Sequence, residues 1–437
     1  MDSITSYKKY VFQETPEEFG GNLVHFFEKV LAEYLDYDIV QMNTQGFGNV
    51  YYILNTDLMR ELIAKNSSKM IKIPHGNKVL ERFIGDSVFV SNGTVHKNQR
   101  RWMNPVFNKK QMDQLTDGIA ECTQSFIENW KDGEEIDGLS SMMELVIRVI
   151  VTNIFGSHDK NLDLISRTLN RLLQVFATPR PLTAEEEQEV EELIVAFDEM
   201  VYSGIKLRKT APEQYNDLLS MLITAQNNSE SAQGTEQEIR NNIGTLFLAG
   251  YEATATTLIW TLYLLASQSE MDQKLISELN QVLDGRPPEL TDVPDLLYTN
   301  QLLLESMRLF PPSYQIGRKV TEDIELPGET VSEGSVLLFS QYIMHRHPRY
   351  FSHPLDIKPE RFSREFIGQL DNYAYFPFGL GSRICLGKDL SLVMLAIMTA
   401  VIAKGFRFEL ANDHSVEPLT LTTLIPKDKI HLIVRKR

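Results

Sequence analysis

The chain has 437 residues, 43% of them hydrophobic and 23% charged, enough apolar material for a large core. A net charge of -16 argues against general nucleic-acid binding, and only two cysteines, Cys122 and Cys385, exclude a disulfide framework. The first twenty residues are polar, with no apolar stretch of signal or anchor type, which predicts a cytoplasmic protein without a membrane anchor.

In chain order, residues 50–54 read as a short strand leading to a helix that starts at Asp57. His96 and Arg100 stand four apart, on one helical face. Cys122 falls in a helical pattern as a core thiol. The run Glu185, Glu186, Glu187, Glu189, Glu191 and Glu192 opens a helix as a solvated face favoured by the helix dipole. Residues 226–234, rich in Asn, Ser and Gln, read as a solvent loop, and Thr235 with Glu238 predicts a capping box opening a long helix. Glu305 and Arg308 share a helical face directly before Pro311 and Pro312, which end the helix. Residues 325–339 and 429–434 supply further strands, and 390–403 form an apolar run too short to span a bilayer, read as a buried helix. The sum is a mainly α chain with a smaller β portion.

The densest chemistry lies at Phe378, Gly381, Arg383, Cys385 and Gly387, five specified positions within ten residues. A thiolate is the metal-binding form of cysteine, and it needs nearby donors and a cation such as Arg383. Gly381 and Gly387 are expected to take backbone angles closed to other residues and to bring main chain close to a flat macrocycle, while Phe378 packs beside the sulfur and limits water. The bland alternative is a Gly-rich turn carrying a structural cysteine.

This pattern resembles the signature of the cytochrome P450 family of haem-thiolate monooxygenases. The pair Glu305 and Arg308 matches the family's Glu-x-x-Arg, and Pro359, Glu360, Arg361 and Phe362 resemble its Pro-Glu-Arg-Phe segment, so the resemblance implies a buried network of Glu305, Arg308 and Arg361. It further implies one catalytic domain over 1–437, haem b (iron protoporphyrin IX) held by Cys385 as the iron ligand, and propionates met by His96, Arg100, Arg318 and Arg383. No segment is left over for a flavin reductase or ferredoxin module, so electrons are expected from a separate ferredoxin- or flavodoxin-type donor and its reductase. Lys97, Arg100, Arg101, Lys109, Lys110 and Lys388 are the basic residues expected where such a partner docks; for Lys109 and Lys110 a solvated scatter fits nearly as well.

Ala249, Gly250, Tyr251, Glu252, Ala253 and Thr254 resemble the family's oxygen-activation helix, in which small residues loosen the helix and an acid followed by threonine directs protons. Glu252 keeps the acid, but Ala253 stands in the usual threonine place. Thr254 comes one residue later, rotated by about 100° on an ideal helix, and inherits the role only if the helix bulges. Protons then come from ordered water, from Thr254 or from a hydroxyl on the substrate; alternatively Ala253 makes room for a bulky substrate. Pocket walls are expected, by position in the family, at 70–90, 176–181, 246–253, 313–316 and 421–423, around a mainly apolar organic molecule. A haem-thiolate peroxygenase, isomerase or dehydratase remains an alternative, as does a non-catalytic haem sensor.

Overall fold

A computed structural model of the chain describes residues 6–12, 22–44, 48–116, 118–156, 168, 170–172, 174–175, 182–229, 234–412 and 416–437, except 75–77. The expected wall at 176–181 and the side chains of Lys109 and Lys110 lie outside the described residues. The chain forms two compact units, Met1–Pro74, Gln301–Cys385 and Ser415–Asp428 in one, and His75–Asn300, Leu386–His414 and Lys429–Arg437 in the other.

The first unit is organised by a six-stranded mixed sheet in the order Lys9–Val11, Ile39–Thr44, Gly48–Ile53, Val336–Phe339, Ile316–Val320, Met70–Lys72. Alternation with period two explains why it is covered on both faces. Tyr51, Ile53, Leu337 and Phe339 enter one apolar cluster, while Val50, Tyr52 and Val336 enter another. The strand expected at 50–54 runs Gly48–Ile53, and the following helix starts at Thr56, because Asn55 accepts the Asp57 and Leu58 amides as its cap. The stretch 325–339 supplies strands as expected, divided into Ile324–Leu326, Glu329–Val331 and Val336–Phe339. Gly328 and Gly334, both at positive φ, make the turns that break it.

The second unit is helical, with one three-stranded sheet of Phe406–Leu410, His431–Lys436 and Glu135–Asp137. Its axis is the 32-residue helix Glu236–Ser267, capped by the Thr235 hydroxyl on the Glu238 amide. Glu238 does not close the expected box: its carboxylate accepts from the Gln226 amide at 3.1 Å and from the Trp102 indole at 3.4 Å. Gln226 is accordingly buried at the end of helix Leu218–Asn227 rather than part of a solvent loop. The acidic run does open a helix, Ala184–Thr210, through a capping box of Thr183 and Glu186. Helix Lys388–Gly405 is largely buried, as expected for 390–403. Helix Gly138–Phe155 is long and apolar enough to cross a membrane, and more than half of it is buried in the unit, as in a core helix. Cys122 is partly buried on helix Ile119–Ile127, and burial pushes its thiol pKa up.

Candidate functional site

In the first unit Cys385 ends a tight loop. The Gly379 amide donates to the Phe376 carbonyl at 2.9 Å, and the Cys385 amide donates to the Phe378 carbonyl at 2.8 Å. Cys385 is exposed, and Phe378 is half-buried. Gly381 has φ +66°, and a Cβ there would stand 2.6 Å from Ile63 Cγ2, so the position demands glycine on two counts. Gly387 differs from expectation: at φ -89° its backbone is open to any residue. Gly379, at φ +80°, takes the left-handed angle instead.

Three cations gather in this unit. Lys72 and Arg318 are cross-strand partners, and burial, then the charges of Arg383 and Arg318, lowers Lys72 to a pKa of about 6. Burial and Arg383 lower Arg318 to about 10. Like charges held together out of water are unfavourable unless an anion joins them.

Behind the loop, Glu305 and Arg308 are both fully buried one turn apart and form a two-armed pair, 2.7 and 2.8 Å long. Arg308 donates further to the His345, Pro354 and Asp356 carbonyls, so its charge is fully hydrogen-bonded. Arg361 reaches Glu305 at 3.6 Å, and the Lys358 amide donates to the same carboxylate at 2.8 Å. The sequence order brought these three residues into one buried network.

In the second unit, helix Glu236–Ser267 carries the residues expected on the oxygen side. It remains α-helical through Ala249 to Thr257 without a bulge, although the Thr257 hydroxyl donates back to the Ala253 carbonyl at 2.9 Å. Leu246, Ala249, Gly250 and Ala253 fall on an accessible strip, while Phe247, Tyr251, Thr254 and Leu258 occupy the buried one. Glu252 is half-buried beside the accessible strip. Thr254 is only 4% exposed, on the buried strip, whereas Ala253 lies on the accessible one. Tyr251 donates to the Asn170 side chain, and burial followed by the charge of Glu252 raises its pKa. A Cβ at Gly250 would come within 3.3 Å of Ile150, a tight approach to helix Gly138–Phe155. On helix Gly93–Met103, His96 is buried and Arg100 half-buried, one turn apart. Lys97, Arg101 and Lys388 are exposed.

Residues 12–434 match the cytochrome P450 family model. The chain belongs to the cytochrome P450 family. It is 30% identical over 341 residues to cyclooctat-9-en-7-ol 5-monooxygenase of Streptomyces melanosporofaciens, covering 75% of this chain and 73% of that one. It is 24% identical over 351 residues to pentalenene oxygenase of Streptomyces avermitilis, covering 78% of each. The heme domain of cytochrome P450DA shares the fold, with a TM-score of 0.85 at 21% identity over 99% of this chain and 98% of that one. This P450 is therefore an oxidoreductase, a monooxygenase acting on a small molecule, and haem b is the cofactor of its family. The residues present fit that group: an exposed thiol, a glycine that clears the loop, and three gathered cations suited to carboxylates. Lys72 was not singled out by sequence, because a lone lysine in the strand Met70–Lys72 carries no local sign of the register that sets it against Arg318.

Proposed function

We propose that Cys385 holds haem b as its thiolate and that this P450 places one oxygen atom from dioxygen into a mainly apolar, unsaturated small molecule. Electrons come from a separate ferredoxin- or flavodoxin-type donor and its reductase in the cytoplasm, with Lys97, Arg101 and Lys388 among the basic residues that meet the donor. The observation that carries the reading is the exposed Cys385 on a loop closed by its own amide, in the same unit as the Lys72, Arg318 and Arg383 cluster.

When bound, haem supplies oxygen activation, strengthened by electron donation from the thiolate. The chain supplies the rest. Lys72, Arg318 and Arg383 would meet the carboxylates, Phe378 would keep water from the sulfur, and His96 and Arg100 keep the carboxylate-binding role that the resemblance implies. Glu252 is the acid that brings protons in from solvent, and Gly250 and Ala253 leave space on the accessible strip. Among the described residues from Leu246 to Ala253 that strip offers no hydroxyl, so the last proton passes through ordered water or a hydroxyl of the substrate. The named substrates of the relatives support this class: one is an alkenol, cyclooctat-9-en-7-ol, and another an alkene, pentalenene.

The test is the absorption spectrum of the dithionite-reduced protein under carbon monoxide, with and without Cys385→Ser. A Soret band at the long wavelength of thiolate-bound haem, lost in the variant, is expected; an unchanged band or a haem-free protein overturns the assignment. The missing hydroxyl also favours a second reading, a peroxygenase, isomerase or dehydratase needing no external electrons. Turnover with peroxide, and none with any reductase, would select it.

A further inference from the structure

We propose that His345 is a positioning residue for the Cys385 loop, an uncharged acceptor that ties the start of the loop to the buried Glu305 and Arg308 pair. Its Nε2 accepts the Phe376 amide at 3.0 Å. From there the hydrogen bonds run on: the Phe376 carbonyl takes the Gly379 amide at 2.9 Å, and the Phe378 carbonyl takes the Cys385 amide at 2.8 Å. In the other direction, the His345 carbonyl accepts from Arg308 at 3.0 Å, and Arg308 grips Glu305. The preceding residue fastens the same way, since the Tyr375 hydroxyl donates to the Leu304 carbonyl at 2.7 Å while its ring lies 4.7 Å from the imidazole.

An imidazole that accepts at Nε2 carries its proton on Nδ1 and is neutral. The surroundings enforce that form: His345 is fully buried, and burial followed by the charges of Arg308 and Arg346 holds its pKa well below the usual range. Without this acceptor the Phe376 amide, on a residue only 3% exposed, is left buried without a partner, a costly state that is relieved when the loop opens. The loop that must hold a sulfur in one place therefore hangs on a side chain 40 residues upstream.

The proposal rests on Cys385 as the iron ligand, and its test separates the two. In the holoenzyme, His345→Gln keeps an acceptor at about the reach of Nε2, His345→Asn ends one bond short, and His345→Leu has none. Backbone amide exchange across 376–385 is followed by mass spectrometry, with helix Gly138–Phe155 as the internal reference. The loss of the thiolate-type carbon monoxide spectrum on standing is followed in parallel. Expected are loop exchange and thiolate loss about tenfold faster in Asn and Leu, with Gln within about threefold of the parent and the reference helix unchanged. Gln and Asn behaving alike, or loop exchange unchanged in Asn, overturns the proposal, and the Gln and Asn pair decides it even if the Leu variant fails to fold. Amide exchange reads the loop whatever the ligand is, whereas Cys385→Ser reads the ligand alone.

Discussion

Lys72 and Arg318 stand directly opposite each other on antiparallel strands, two basic side chains in the register where side chains come closest. Like charges so placed cost about 0.2–1 kcal/mol on an open sheet, and burial adds to that. The arrangement suits a site that receives anions. Lys72→Leu is accordingly expected to act with opposite signs: the haem-free chain melts higher, and the holoenzyme releases haem faster. Lys72→Arg should retain haem. Calorimetry of both forms and transfer of haem to an acceptor protein measure the two effects; a variant that melts lower without haem contradicts this account.

The same lysine sets a pH dependence. Its folded pKa, about 6, lies below the ordinary 10.5, so between those values the unfolded chain binds the extra proton. Stability of the haem-free chain should rise with pH across that window, and the contribution is lost as pH falls through about 6. Carboxylates bound beside Lys72 oppose the shift, so the slope should shrink in the holoenzyme. Urea midpoints between pH 6 and pH 9, with Lys72→Leu as control, check it.

Glu305 and Arg308 are both fully buried, so removing either leaves a charge without its partner. Glu305→Ala and Arg308→Ala are each expected to cost about 3–5 kcal/mol. The readout is the yield of folded, haem-bound protein, and a yield near that of the parent would argue against the network as the anchor of its unit.

Two glycines of one motif should behave differently. Gly381→Ala meets both a positive φ and Ile63, and should destabilise by more than about 1 kcal/mol. Gly387→Ala in the haem-free chain should stay within about 0.5 kcal/mol, because its φ is ordinary. Denaturant titration of the haem-free variants separates the two.

On the long helix, Thr254→Ala touches the buried strip and should lower stability by about 1 kcal/mol while leaving the ratio of peroxide to product unchanged. Ala253→Thr restores a hydroxyl to the accessible strip and should lower peroxide release with a deoxy substrate more than with its hydroxylated counterpart. Equal coupling for the two substrates in the parent enzyme would count against protonation through a substrate hydroxyl.

Features set by neighbours along the chain were already visible in residue order. The loop at Cys385, the helical pairing of Glu305 with Arg308 and the Thr235 cap all follow from spacing, because turns and helix faces are local. Helical phase also separated Thr254 from Ala253, but which of the two faces is buried depended on what packs against the helix. The tertiary structure alone decided the rest. Lys72 meets Arg318 through strand register, Glu238 leaves its own cap for Gln226 and Trp102, and His345 reaches Phe376 across 31 residues of chain. In each case the partner is chosen by burial and long-range pairing, which no window of neighbouring residues encodes.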